Sequence, residues 1–161
     1  MTVFIRGKDA FSFAFREYTD TVYRVAMHNT TNFFDAQDVT QEVFMKLLES
    51  DKLFRDGEHI KAWLIRVTIN LCRDRIRKSS RETLVEDAAS YRSGEEQSYI
   101  LEAVKALPEN YRNAIYLHYY EGYTAKEIGK ILDAKENTVL SWLSRGREAL
   151  RKELDGGFDD E

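Results

Sequence analysis

The stretch Ile60–Lys78, IKAWLIRVTINLCRDRIRK, constrains the fold more than any other part of this chain. On a helix of about 3.6 residues per turn, Ile60, Trp63, Leu64, Val67 and Leu71 share one face. Ala62, Ile65, Ile69, Cys72 and Ile76 share a second, nearly opposite face. A helix that is apolar on two sides has to be covered on two sides, so it belongs at the centre of a domain. The remaining edge carries Arg66, Asn70, Arg73 and Arg77 at i, i+4, i+7 and i+11. Guanidinium groups with an amide among them suit phosphate oxygens and base edges. The same edge is also what a purely structural core helix would leave in water.

A chain of 161 residues holds one ordinary domain or two small ones. With 43% hydrophobic residues it can build packed cores, and with 32% charged residues it stays in solution. The net charge of −4 excludes a globally basic nucleic-acid protein, so any DNA contact has to come from local basic surface. A single cysteine, Cys72, excludes an internal disulfide and fits a reducing compartment; its helical position is apolar, as expected of a buried structural thiol. No apolar run is long enough for a membrane span and no signal peptide opens the chain, so a cytoplasmic location and no membrane insertion are expected. With one proline and little alternation of period two, the fold class is all-α.

The N-terminal half reads as three helices. From about Asp9 to Asn29, Phe11, Ala14, Phe15, Tyr18, Val22, Val25 and Ala26 recur at helical spacing. A second helix, with Asp35 as its expected cap, runs to about Glu49 and turns Ala36, Val39, Val43, Leu47 and Leu48 inward. Asp38, Gln41, Glu42 and Lys46 lie on its outer side, a solvated or protein-binding face. Histidines 28, 59 and 118 are scattered, and none stands at carboxylate–histidine metal spacing, so no metal or cofactor is expected. Leu53 and Phe54 sit within a charged loop ahead of the central helix. They either fold back onto the domain or grip a partner or an unstacked base.

Periodicity dissolves over 79–96, read as a linker between domains 1–78 and 97–154. Fully extended it spans roughly 60 Å. Beyond it, helical spacing resumes at Tyr99–Leu107, and Pro108 suits the first turn of a helix reaching Tyr120. Thr124 and Glu127 form a capping box for a short helix to Leu132. Asp133-Ala134-Lys135 breaks it before a longer helix from Glu136 to about Leu154. Short helix, tight turn and longer helix make a helix-turn-helix candidate. On the longer helix Val139, Leu143, Gly146 and Leu150 form the packed stripe, leaving Asn137, Ser141, Ser144, Arg145, Arg147 and Arg151 exposed. Residues 155–161 are acidic and glycine-rich and read as a disordered tail.

Together these motifs resemble the extracytoplasmic-function (ECF) sigma factors of the sigma-70 family. Asp35-Ala-Gln-Asp-Val-Thr-Gln-Glu-Val-Phe44 is similar to the family's second-helix motif. Lys61-Ala-Trp-Leu-Ile-Arg-Val-Thr-Ile-Asn70, with Asp74 and Arg77, is similar to its promoter-melting helix. Leu107-Pro108, Arg112, Glu121-Gly122-Tyr123-Thr124, Glu127-Ile128 and Thr138-Val139 with Ser141, Leu143, Arg145 and Arg147 resemble its C-terminal domain. The resemblance implies a transcription initiation factor, not an enzyme, acting in a stress or envelope response. Its implied partners are core RNA polymerase, promoter DNA and an anti-sigma factor, and it is implied to be a monomer when free. Asp38, Gln41 and Glu42 would dock on the polymerase. Leu53, Phe54, Lys61, Trp63, Arg66, Asn70, Arg73 and Arg77 would open and read the downstream element. Thr124, Lys135, Asn137, Thr138, Ser141, Ser144, Arg145 and Arg147 would read the upstream one. Three positions depart from the family pattern: Asp133 where glycine is frequent, Leu140 where a basic residue is usual, and Trp142 where arginine is frequent.

A stand-alone helix-turn-helix regulator is the rival reading. It would need a dimer interface and a two-fold operator, and nothing in residues 1–78 resembles an effector pocket. An enzyme would need a convergent nucleophile–base or metal set that the sequence lacks.

Overall fold

The computed structural model describes residues 4–81 and 99–158, with side chains to residue 78 in the first stretch and residue 155 in the second. Most of the expected linker 79–96 and the last residues of the tail lie outside the described residues. The fold is all-α: α1 (Gly7–His28), α2 (Phe33–Glu49), α3 (Gly57–Arg81), α4 (Tyr99–Lys105), α5 (Glu109–Tyr119), α6 (Ala125–Leu132) and α7 (Glu136–Phe158). Helices α1–α3 form one compact unit and α4–α7 a second.

In the first unit, Ala10, Ala14, Val22 and Ala26 of α1 pack with Ala36, Val39, Val43, Phe44 and Leu47 of α2 and with Ile60, Leu64 and Cys72 of α3. Trp63, Val67 and Leu71 close over this core from one side of α3. Ile65, Thr68 and Ile69 are buried as well, so α3 is covered almost all round. The hydroxyl of the buried Thr68 donates to the Leu64 carbonyl oxygen at 2.6 Å, which satisfies its donor within the helix.

Several inward assignments stop at the rim of this core. Phe15, Leu48 and Ile76 are 54%, 41% and 45% exposed, whereas Phe44 is buried. Phe15 stacks on Phe11 and meets Phe44 edge-on at centroid distances of 5.8 and 5.5 Å, but nothing among the described residues covers its outer side enough to bury it. Ile76 lies beyond the part of α3 that its neighbours enclose. The cap of α2 is Asn32, not Asp35: its side-chain oxygen accepts from the Asp35 N–H at 2.9 Å, and its amide donates to the Asp35 carboxylate at 2.9 Å.

The loop before α3 is drawn inward by a backbone pairing that no local pattern announces. Ile5 and Phe54 exchange N–H···O bonds of 2.8 Å in both directions as an isolated antiparallel bridge. Phe54 is thereby buried, its ring edge-on to His59 at 5.2 Å and to Trp63 at 5.7 Å, while Leu53 stays 47% exposed. Phe54 therefore cannot offer its ring to a base alongside Leu53. It is a core residue.

In the second unit Val104, Leu107, Ala114, Ile115, Leu117, Ile128, Ile131, Val139 and Leu143 are buried. Pro108 occupies the N-cap of α5 and not its first turn, its carbonyl accepting from the Arg112 N–H at 2.9 Å. Gly146 lets α7 approach α5: a Cβ there would stand 2.8 Å from Ile115 Cγ1. The backbone of α7 stays helical to Phe158, past the expected end at Leu154. Propagation adds a hydrogen bond for each residue fixed, so a long helix tolerates poor formers at its end.

Truncating Phe54 to alanine should destabilise the protein by about 3–5 kcal/mol in urea unfolding, as for a buried aromatic. Leu53→Ala should change stability by no more than about 0.5 kcal/mol.

Candidate nucleic-acid and partner interfaces

The outer face of α2 presents Asp38, Gln41 and Glu42, all exposed because Ala36, Val39 and Val43 take the inner side. The face is not purely acidic. Arg75 of α3 reaches across, with nitrogens 3.7 Å from Asp35, 3.9 Å from Asp38 and 3.8 Å from Glu42. These groups are all more than a third exposed, so each pair contributes little to stability. Their effect is to place one positive charge among the carboxylates of α2. Arg75 is a residue that sequence reasoning missed; its placement opposite Arg66 on the α3 helical wheel was the available signal.

The polar edge of α3 faces water as expected. Arg66, Asn70 and Arg77 are exposed and Arg73 is half-buried, all within an arc of roughly 60° on an ideal helix. Lys61 and Trp63, near the start of α3, are half-buried. Unit 1 thus gathers carboxylates on one helix and guanidinium groups on the other.

Edge-on to the buried Phe54 ring, His59 makes contacts that favour its neutral form. Its Nδ1 accepts the backbone N–H of Arg55 at 3.1 Å, which a protonated ring nitrogen cannot do, while the backbone N–H of His59 donates to the Asp56 carboxylate at 2.9 Å. Burial pushes its pKa below the ordinary 6.5, helped by Arg55 and Lys52 and opposed by Asp56.

In unit 2 the capping box is complete: the Glu127 N–H donates to Thr124 Oγ1 at 3.2 Å and the Thr124 N–H to Glu127 Oε1 at 2.9 Å. These bonds hold the Glu127 carboxyl below its ordinary pKa. Helix α6 ends on Asp133 in the left-handed conformation, with φ of 56° and ψ of 54°. The next residue, Ala134, donates its N–H to the Gly129 carbonyl at 2.8 Å. A Cβ at position 129 would stand 2.5 Å from the Ala134 carbonyl oxygen, so this close turn requires glycine. The turn sets α7 against α6 in helix-turn-helix order. Lys135 is exposed just before α7, Asn137, Thr138, Ser144, Arg145 and Arg147 are exposed on α7, Ser141 is half-buried, and Thr124 is exposed at the α6 cap. Arg147 donates to the Tyr119 hydroxyl at 3.3 Å, adding Tyr119 of α5 to this surface.

The family model for sigma-70 region 2 matches residues 14–82, and that for sigma-70 region 4 matches residues 97–150. The chain is 31% identical over 170 residues to the ECF RNA polymerase sigma factor SigW of Bacillus subtilis, covering 91% of this chain and 90% of that protein. The chain belongs to the sigma-70 family. It is an ECF sigma factor, a transcription initiation factor and not an enzyme.

The ECF sigma factor SigE of Mycolicibacterium smegmatis is 35% identical over 153 residues, and the match spans 59% of that longer protein. Among solved structures, the sigma factor RpoE of Bartonella quintana, in complex with the anti-sigma factor NepR, has the same fold. Its TM-score is 0.77 at 23% identity, covering 90% of this chain and 96% of that one. Region 2 of this ECF sigma factor comprises most of α1 with α2 and α3, and region 4 comprises α4 to α7 as far as Leu150. Among the described residues no helix is long and apolar enough to cross a membrane.

Neutral His59 should contribute stability fully above pH 6.5, its ordinary value, and lose it as pH falls through the depressed folded value. The melting temperature should therefore fall as pH is lowered below 6.5, and His59→Gln, which accepts the same bond without titrating, should flatten that fall.

Proposed function

We propose that this ECF sigma factor binds core RNA polymerase through the outer face of α2, and promoter DNA through the α3 edge and the helix-turn-helix. The observation that carries this reading is the segregation of charge in region 2, carboxylates on α2 and guanidinium groups on α3. Asp38, Gln41 and Glu42 offer acceptors to a basic coiled coil of the polymerase. Leu53 offers an apolar surface to an unstacked base, and Lys61, Trp63, Arg66, Asn70, Arg73 and Arg77 engage the opened strands. Thr124, Lys135, Asn137, Thr138, Ser141, Ser144, Arg145 and Arg147 read the upstream element as duplex. The domains are residues 1–78 and 97–154, and the protein acts as a monomer in the cytoplasm until it joins the polymerase. An anti-sigma factor that covers these surfaces holds it inactive; the RpoE of Bartonella quintana is known in complex with the anti-sigma factor NepR.

Reversing charge with Asp38→Lys and Glu42→Lys should lower affinity for core polymerase by about tenfold or more. The helical circular dichroism should stay unchanged, because both side chains are exposed. Undiminished binding of core enzyme would overturn the α2 assignment.

Alanine at Arg66, Asn70 and Arg73 should leave promoter location intact and impair melting. A pre-melted bubble template should restore transcription by the reconstituted holoenzyme, because strand separation is already met. Arg145→Ala or Arg147→Ala should instead weaken duplex binding, lowering the salt slope by about one unit for each phosphate no longer neutralised. The bubble should rescue these variants less. Equal rescue of both groups would sink the division of labour.

A further inference from the structure

Leu140 stands out on α7. It is 48% exposed, whereas Val139, Trp142, Leu143, Leu150 and Leu154 of the same helix are buried or half-buried. Its neighbours along the surface are polar. Asn137, Leu140, Ser144, Arg147 and Arg151 follow at i, i+3, i+7, i+10 and i+14, and all are exposed. On an ideal helix they form one stripe roughly 80° wide. The stripe begins with a carboxamide, continues through an aliphatic group and a hydroxyl, and ends in two guanidinium groups. The bond from Arg147 to Tyr119 ties its far end to α5. Leu140 thus lies in the N-terminal part of the second helix of a helix-turn-helix, the part that meets base edges when such a helix enters the major groove.

In that groove the base edges carry hydrogen-bond donors, acceptors and a single kind of apolar group, the 5-methyl of thymine. An isobutyl side chain can neither donate nor accept. Set against a guanine or a cytosine it would strip water from polar base atoms and offer them no hydrogen bond in exchange. Set against a thymine it would bury methyl on methyl. We propose that Leu140 is a specificity-determining residue that reads the 5-methyl group of one thymine in the upstream duplex element. That thymine lies next to the base contacted by Asn137, whose carboxamide matches adenine. The inference rests on the reading of α7 as the duplex-binding helix, and it assigns to an exposed leucine a chemical group that a cation at the same position could not select.

The test uses holoenzyme reconstituted from the full chain and core polymerase, with a promoter duplex selected by it from a pool randomised over the upstream element. Each thymine of the selected element is replaced in turn by deoxyuridine, which removes the methyl group and keeps every hydrogen-bonding atom. At one position the replacement should weaken wild-type binding about three- to fivefold, the worth of one buried methyl group. Leu140→Ala holoenzyme should be insensitive at that position, and Leu140→Met, which keeps an apolar tip, should retain the sensitivity. No sensitive thymine in the wild type, or equal sensitivity in wild type and Leu140→Ala, would overturn the inference. If Arg145→Ala/Arg147→Ala holoenzyme binds the selected duplex as tightly as wild type, the duplex-binding reading of α7 fails, and the inference falls with it.

Discussion

Burial of α3 on nearly every side is the constraint on which region 2 depends. A helix that buries its own Ile60, Leu64, Ile65, Thr68, Ile69 and Cys72, and half-buries Trp63, Val67 and Leu71, has one narrow strip left for solvent. Charged groups are excluded from the enclosed arc by the cost of desolvation. Arginines on this stretch therefore collect on the strip or beyond the end of the core. Arg66, Arg73 and Arg77 take the strip; Arg75, opposite them, passes the core and reaches the carboxylates of α2. One packing requirement thus produces both a basic strip on α3 and a cation that reaches the acidic face of α2.

That arrangement gives a chain of net charge −4 a locally basic surface. Surface potential beyond about 10 Å is screened at ordinary ionic strength, so local composition counts for more than the total. The carboxylates on α2 are kept away from the α3 edge by the body of the helix. Arg75 offsets part of their repulsion while leaving Asp38 62% exposed. Such partly exposed pairs contribute little to stability, so breaking them costs the fold little.

Region 4 depends on a different economy, one of local backbone geometry. The capping box starts α6, and the approach of Ala134 to Gly129 with a left-handed Asp133 ends it. Aspartate tolerates that conformation better than most residues, so the departure from a frequent glycine leaves the turn intact. The departure at Leu140 has the opposite character. It alters nothing in the core and changes only the chemistry of the exposed face of α7.

The sequence by itself determined the all-α class, the two-sided α3, the capping box, the turn at Asp133 and the outer stripe of α7. Each of these depends on residues within one or two helical turns, where spacing alone dictates direction. It did not decide how far each apolar face would be covered. Phe15, Leu48 and Ile76 continue the inward pattern and yet remain at the surface, because burial depends on where a neighbouring helix ends. Nor could it separate Leu53 from Phe54. They are adjacent, apolar and set in the same charged loop; the backbone pairing of Phe54 with Ile5, near the start of the chain, sends one side chain into the core and leaves the other in water. The reach of Arg75 across to α2 was hidden for the same reason. Spacing within a helix fixes the direction of a side chain, but only the tertiary structure brings up the distant segment that covers it, pairs with it or leaves it exposed.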